Sequence, residues 1–377
     1  MAHKIKKILI VPIAVIVEEK TGLSGGAFFN EWLLKVKRGV LGQTTVYNGE
    51  LEFYADMPML LGKENVFIFG RYFPHFYEKE VPPDSAYPSC HGTPRPTTLS
   101  ESEVRGVIKD VDVVLVSTRA GKNGILAIEL ARKYGIPVAM IDFKDHYSIF
   151  GVGDEIVRRD IFREFLKGKH FDLFFKKDLP LGYASEYVFP IAPVPVRPES
   201  YDFHQLPKDM SIFYSGKSHP KGVGDRFEVV NMVREHFSDA VLLEPTNPAA
   251  RLTLRQYMDY LSRAKIALSP SGLVWDSFRH CEAGLAPQTA LLAPRPYMEV
   301  TGPELKDGEN AILYETELRD GKYHFANSDE LVEKIKYYLE HTAEREKIAA
   351  AWSKDVVNGH TTLARARYII QCIERAL

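Results

Sequence analysis

Arg279 and Glu282 stand three positions apart, which places them on one face of any helix that contains them. The segment around them is ordered for chemistry. An apolar run, Lys265 to Leu268, reads as a buried parallel strand, the turn Ser269-Pro270-Ser271-Gly272 follows it, and an amphipathic helix starts near Asp276. Ser271, Gly272 and Ser277 therefore fall where small side chains, backbone N–H groups and a helix N-terminus meet at the carboxyl end of a strand. Open α/β sheets bind phosphorylated ligands at such places. Glu282, one turn into the helix, could accept both hydroxyls of a ribose; otherwise it is an exposed glutamate paired with a lysine. Arg279 could reach a phosphate, or form a local pair with Asp276 three residues before it.

A second glycine-containing loop, Ser215 to Asp225, joins another strand to another helix. It holds Gly216 and Lys217 and ends against Arg226. Backbone N–H groups, a lysine and an arginine fork are the usual means of stabilising a departing diphosphate. The competing reading is a solvated basic loop. In the first half of the chain Asp142, Asp145 and His146 follow the strand Val138–Ile141, again at a carboxyl end. His146 or Asp145 could serve as a base, or the group could simply be polar capping residues. Gly25 and Gly26 would let backbone approach a ligand or begin a helix, and Phe73, Phe76, Tyr77 and Tyr87 could stack on a sugar or pin their own loop. There is no Walker lysine pattern, no complete G-x-G-x-x-G, no HExxH and no G-x-S-x-G. No Asp-x-Asp metal motif stands out, since Asp110-Val111-Asp112 opens a buried strand, and Cys90-His91 lacks a second ligand pair. A metal is not expected.

The elements that must carry these residues alternate. In the first half strands are expected at Ile8–Val17, Val66–Phe69, Val111–Ser117, Ile136–Phe143 and Phe171–Phe175, and helices at Ala27–Lys37, Asn123–Tyr134 and Asp154–Lys167. Ser100 and Glu103 have capping-box spacing and open a further helix. The rhythm implies a parallel sheet covered on both faces with right-handed crossovers. Tyr72–Thr98 contains six prolines and reads as a long surface excursion. Pro190 to Pro198 has four prolines at near-alternate positions, a stiff extended linker with little to give a core. Beyond it the alternation restarts with strands at Ser211–Tyr214, Ala240–Leu243 and Thr289–Leu292 and helices at Asp225–His236 and Thr253–Arg263, and from Ser328 onward three helical stretches follow one another.

A chain of 377 residues suits two domains. Its 45% hydrophobic and 26% charged content is that of a globular protein, and a net charge of −2 gives no electrostatic case for nucleic acid. Three scattered cysteines suggest a reducing compartment. The apolar run after the basic N-terminus is about 10 residues and ends in Glu18-Glu19-Lys20, a buried strand rather than a signal peptide. No other stretch approaches membrane-spanning length, and the expected location is cytoplasmic.

Ser277-Phe278-Arg279-His280-Cys281-Glu282-Ala283, Asp307-Gly308-Glu309-Asn310, the run Asp329 to Ala349, and His360-Thr361-Thr362 with Arg365 and Arg367 together resemble glycosyltransferases of the GT-B fold. The resemblance is to the group 1/family 4-like enzymes and their spore-maturation CgeB-like branch. It covers about Ser211 to Leu377, with a fainter echo at Lys133-Tyr134-Gly135-Ile136-Pro137-Val138. It implies an α/β protein of two Rossmann-like domains whose parallel sheets face each other across a cleft. The division it implies is 1–198 for the acceptor-side domain, 199–360 for the nucleotide-sugar domain and 361–377 for a helix crossing back. By position Glu282 matches the carboxylate that holds the donor ribose, and Gly216 with Arg226 match the diphosphate loop. The implied activity is transfer of a sugar from an NDP-sugar, UDP- or GDP-linked, without cofactor or metal and with retention of configuration. The acceptor is open: a glycan, small molecule, protein or modified nucleic acid. Val274 stands where many relatives carry a first, sugar-contacting glutamate, and Pro287 where they carry glycine. A non-catalytic nucleotide-sugar binder would show such changes, and a sugar-nucleotide epimerase would share the cleft.

Overall fold

The computed structural model describes residues 4–12, 51–70, 96–118, 120–143, 171–218, 224–244, 252–319 and 322–377. The expected helices at 27–37 and 154–167, Gly25 and Gly26, the pair Cys90-His91, the four loop aromatics, Asp145 and His146 lie outside the described residues.

The apolar runs form two parallel sheets. In the first, β1 (Ile8–Val11), β2 (Val66–Phe69), β3 (Thr97–Leu99), β4 (Val113–Ser117), β5 (Val138–Asp142), β6 (Leu173–Lys176) and β7 (Val188–Pro190) lie in the order β3-β2-β1-β4-β5-β6-β7. In the second, β8 (Met210–Ser215), β9 (Val241–Leu243), β10 (Ala264–Leu268), β11 (Ala290–Pro294) and β12 (Ile312–Tyr314) lie in the order β12-β11-β10-β8-β9. Every described pairing within these two sheets is parallel. Central strands such as VVLVS and ALLAP are buried along their whole length, because helices cover both faces and no alternation is needed. Each sheet therefore separates two apolar clusters.

Local signals set the helix ends. Ser100 and Glu103 form the expected reciprocal capping box on the helix Glu101–Val107, and Thr253 with Gln256 forms another on Leu254–Arg263. Gly135, at φ 68°, closes Gly121–Tyr134 in the left-handed conformation that glycine adopts without strain.

Several expectations need correction. Thr97–Leu99, at the end of the proline-rich stretch, is an edge strand, because the last proline before it stands at position 96 and leaves three residues free to pair with β2. Val188–Pro190 was not foreseen as a strand and pairs with β6. The linker at 190–198 is not exposed: Ile191, Ala192 and Val196 are fully buried and Val194 nearly so. Proline spacing correctly implies extended backbone, but the small apolar residues between the prolines fill the seam between the two sheets' cores. Hydrogen bonds stitch the linker on both sides. Ile191 N–H donates to Lys176 O, Val194 N–H to both oxygens of Asp276, Thr301 N–H to Ala192 O, and Val196 N–H to His360 O.

The last helix, Thr362–Ala376, returns to the first sheet. Ile369, Ile370 and Ile373 join the cluster formed by Ile8, Ile10, Phe53, Tyr54 and Leu115. Asp56 ties this junction together, pairing with Arg197 at 2.8 Å and accepting from the Thr362 hydroxyl. Arg365, fully buried, donates to the carbonyls of Ala192 (3.4 Å) and Pro193 (3.0 Å).

Candidate functional site

The two loops singled out from the sequence meet at the carboxyl ends of β8 and β10. The loop after β8 runs through Gly216 and Lys217 and re-emerges as Gly224-Asp225-Arg226, where the helix Arg226–His236 begins. The turn after β10 is Ser269-Pro270-Ser271-Gly272. These loops clasp each other. Ser271 donates its N–H (2.9 Å) and hydroxyl (2.5 Å) to Asp225 Oδ1. Its carbonyl accepts the Arg226 N–H at 3.2 Å, and its hydroxyl accepts the Asp225 N–H at 3.4 Å. A Cβ on Gly224 would collide with the carbonyls of Ser271 and Gly272, so only glycine allows the loops this close. Asp225 precedes a helix but makes no side-chain cap to it, because its carboxyl is committed to the opposite loop.

Two guanidinium groups converge on this clasp. Arg226 reaches the carbonyls of Lys217 (3.3 Å) and Pro270 (3.5 Å), and its Nε is buried without a partner among the described residues. Arg279 donates through Nε (2.8 Å) to Ser215 O and through Nη1 (3.1 Å) to the hydroxyl of Ser277, with its guanidinium carbon 5.2 Å from the centre of the Tyr214 ring. Neither forms an ion pair with a carboxylate among the described residues. The local pair with Asp276 is not made; Asp276 turns instead to Val194 and Lys177. Burial lowers the Arg226 pKa first, and the positive charge of Arg279 lowers it further. The glycines leave room for both: a Cβ on Gly272 would come within 2.5 Å of Arg226 Nη2, and one on Gly216 would strike Arg279 Nη2. Two like charges held together by neutral acceptors favour a bound anion, whose charge relieves their repulsion.

Glu282 lies one turn further along the helix Phe278–Leu285, whose N-cap is Ser277. It is 7% exposed, and it accepts from Tyr257 at 2.7 Å and Tyr201 at 3.2 Å. Burial raises its pKa, while Tyr257, Arg279 and Tyr201 oppose the rise. An ionised carboxylate has about four acceptor directions, so both tyrosines and an incoming diol can share it. His280, between Arg279 and Glu282, points into the core, where Nδ1 lies 2.7 Å from the Ser269 hydroxyl. Burial and then Arg279 push its pKa down to about 3, and it stays neutral. Val274 is buried against Trp275 and its cluster, so that position belongs to the core here.

Asp142 is fully buried at the end of β5, 3.0 Å from Lys176 Nζ and 3.1 Å from the Thr118 hydroxyl. It braces three strand ends. Lys217 is exposed at the lip of the clasp. The described structure thus brings Gly216, Lys217, Arg226, Ser271, Gly272, Ser277 and Arg279 together, sets Glu282 one turn deeper, and keeps Asp142 at the other sheet. Sequence reasoning missed Asp225 and Tyr314. Asp225 is held by Ser271, 46 residues further on, and Tyr314 comes from a different strand, so no local spacing marked either. Among the described residues no group of three His, Cys, Asp or Glu is placed to hold a metal, and no helix is long and apolar enough to cross a membrane.

Residues 235–371 match a protein family described as "Glycosyl transferase-like". No curated protein matches the chain. Among solved structures, Anabaena HepE in complex with UDP and glucose aligns with a TM-score of 0.54 at 10% identity, over 98% of this chain and 99% of that one. The same protein in complex with UDP-glucose gives 0.53 at 10% identity, over 97% and 99%. A glycosyltransferase from Rickettsia africae gives 0.56 at 12% identity, over 98% of each chain. At such identities the likeness is one of fold, and the fold is GT-B.

Proposed function

We propose that the chain is a glycosyltransferase that moves a sugar from a nucleoside diphosphate sugar, UDP-linked, to an acceptor bound on the side of residues 1–198. The observation that carries this reading is the convergence of Arg226 and Arg279 at two strand ends, without a carboxylate partner among the described residues. The family match over residues 235–371 supports it, as does the shared fold with a protein that was crystallised with UDP-glucose. The donor domain is residues 199–360, and 361–377 is the return helix.

In this mechanism the diphosphate lies over the clasp. Arg226, Arg279 and Lys217 neutralise the charge that grows on it as the glycosidic bond breaks, together with the N-termini of the helices that begin at Arg226 and Phe278. Such groups stabilise the leaving state more than the ground state because the charge they meet is larger there. Ser277 and Tyr214 fix the plane of the Arg279 guanidinium, and Glu282 receives the ribose hydroxyls beside Tyr257. Transfer is of the retaining, family 4-like and CgeB-like type, without metal or further cofactor: the departing phosphate takes the acceptor's proton. An inverting reaction would instead require Asp145 or His146 as base. The protein works in the cytoplasm in this reading.

A donor panel tests it. UDP-, GDP-, ADP- and TDP-sugars are incubated with the protein, and NDP release and sugar identity are followed. Slow, saturable NDP release with one donor supports the transferase. Tight binding without release supports a non-catalytic binder, and interconversion of two UDP-sugars supports an epimerase.

A further inference from the structure

Asp225 puts a carboxyl group under the anion site just described. Its Oδ1 is spent on Ser271. Its Oδ2 is buried with no hydrogen-bond partner among the described residues, and the residue is fully buried. Tyr314 at the end of β12 turns its hydroxyl toward this carboxyl, yet that oxygen too is buried without a partner in hydrogen-bond geometry. A diphosphate held by Arg226, the next residue, would meet this buried carboxylate as a like charge.

We propose that Asp225 is a positioning residue of the donor site that takes up a proton when the diphosphate binds, so that donor recognition is linked to proton uptake. The inference rests on the donor reading above. The proton comes from solvent and bonds to Oδ2; neutral Asp225 then has an O–H to offer the Tyr314 oxygen, while Oδ1 keeps Ser271 and holds the clasp. Burial already raises the Asp225 pKa to about 6, despite the hydrogen bonds from Ser271, the nearby Tyr314 hydroxyl and the charge of Arg226. A nearby diphosphate raises it further.

The charged and titratable groups around Asp225 can be separated from it. Arg226, Arg279 and Lys217 are the cations on this side of it, and Tyr314 is held neutral by burial. Tyr214 and Tyr297 are phenols, with Tyr214 also raised by burial, and His280 is neutral. Glu244 lies near Tyr214 and pairs with Arg234. His324 pairs with Glu228 on the same helix as Arg226 and supplies the histidine control.

UDP-glucose is the probe, because its diphosphate diester does not titrate between pH 5 and 8. Calorimetry of wild type should show affinity falling about tenfold or more from pH 5 to pH 8, with net proton uptake near pH 7 when buffers of different ionisation enthalpy are compared. Asp225→Asn, which keeps an acceptor for Ser271, should bind with a nearly flat pH profile and more tightly than wild type at pH 8. Asp225→Ala should bind weakly at every pH through loss of the clasp. His324→Gln should retain the wild-type slope. A flat profile in wild type with normal binding, or an unchanged slope in Asp225→Asn, overturns the inference and leaves the donor reading standing. Absence of binding to UDP-, GDP-, ADP- and TDP-glucose at all pH values overturns both.

Discussion

Replacing Arg226 with Met should leave the empty protein at least as stable while removing most of its response to donor. In the folded chain Arg226 has a buried Nε without a partner among the described residues, bonds of 3.3 and 3.5 Å to two carbonyls, and Arg279 as a like-charged neighbour. An apolar side chain of similar length keeps the packing and removes the repulsion, so apo stability should hold or rise by about 1 kcal/mol. The donor response goes the other way. At a donor concentration of about 100 Kd the wild type gains about 2.7 kcal/mol. Loss of one charge-assisted hydrogen bond to phosphate, about 2 kcal/mol, weakens binding about 30-fold. The same concentration is then about 3 Kd and contributes about 0.9 kcal/mol. For a chain of this size the donor-induced rise in Tm should shrink from roughly 3 °C to roughly 1 °C. Thermal unfolding with and without UDP-glucose measures both effects at once. A variant that melts several degrees earlier yet keeps the full donor shift would make Arg226 a structural residue and refute the anion-site argument.

Gly272→Ala places a methyl 2.5 Å from Arg226 Nη2; the guanidinium must swing aside, and the donor KM should rise about tenfold (~1.4 kcal/mol) with Tm little changed. Asp56→Ala strands Arg197 and Thr362 at the junction of linker and last helix, and urea unfolding should show a loss of about 3–5 kcal/mol, with Asp56→Asn losing less than half of that. Burial depresses the His360 pKa to about 3, below its unfolded value of about 6.5. The unfolded chain therefore binds more protons between those values, so this residue's stabilisation is complete above about pH 6.5 and is lost as pH falls toward 3. His360→Gln should flatten the acid limb of the stability curve by about 1.4 kcal/mol per pH unit, read from urea midpoints at pH 6 and pH 5.

The repeating strands and helices were legible because runs such as VAMID and AKIAL have only one stable setting, a sheet covered on both faces. Ser100 and Glu103 were legible because a capping box is complete within four residues. What could not be read depends on partners distant in sequence. Glu282 is held by tyrosines 81 and 25 residues away, and Asp225 by a serine 46 residues away. No local spacing encodes either contact. The linker was misjudged for the same reason: its prolines describe the backbone, while its burial is decided by Asp276, Thr301 and His360 on the far side of the seam. For Arg279 the sequence left two partners open, a phosphate and Asp276, and the structure turns Asp276 to Val194 and Lys177 instead.

The helix Thr362–Ala376 completes a core whose other members end at Val194. During synthesis, the apolar surface formed by Ile8, Phe53 and Leu115 waits for those 15 residues while the whole intervening stretch is translated. At about 5–20 residues per second that interval is on the order of ten to thirty seconds. The amino-terminal half thus emerges from the ribosome before the helix that completes this core has been made.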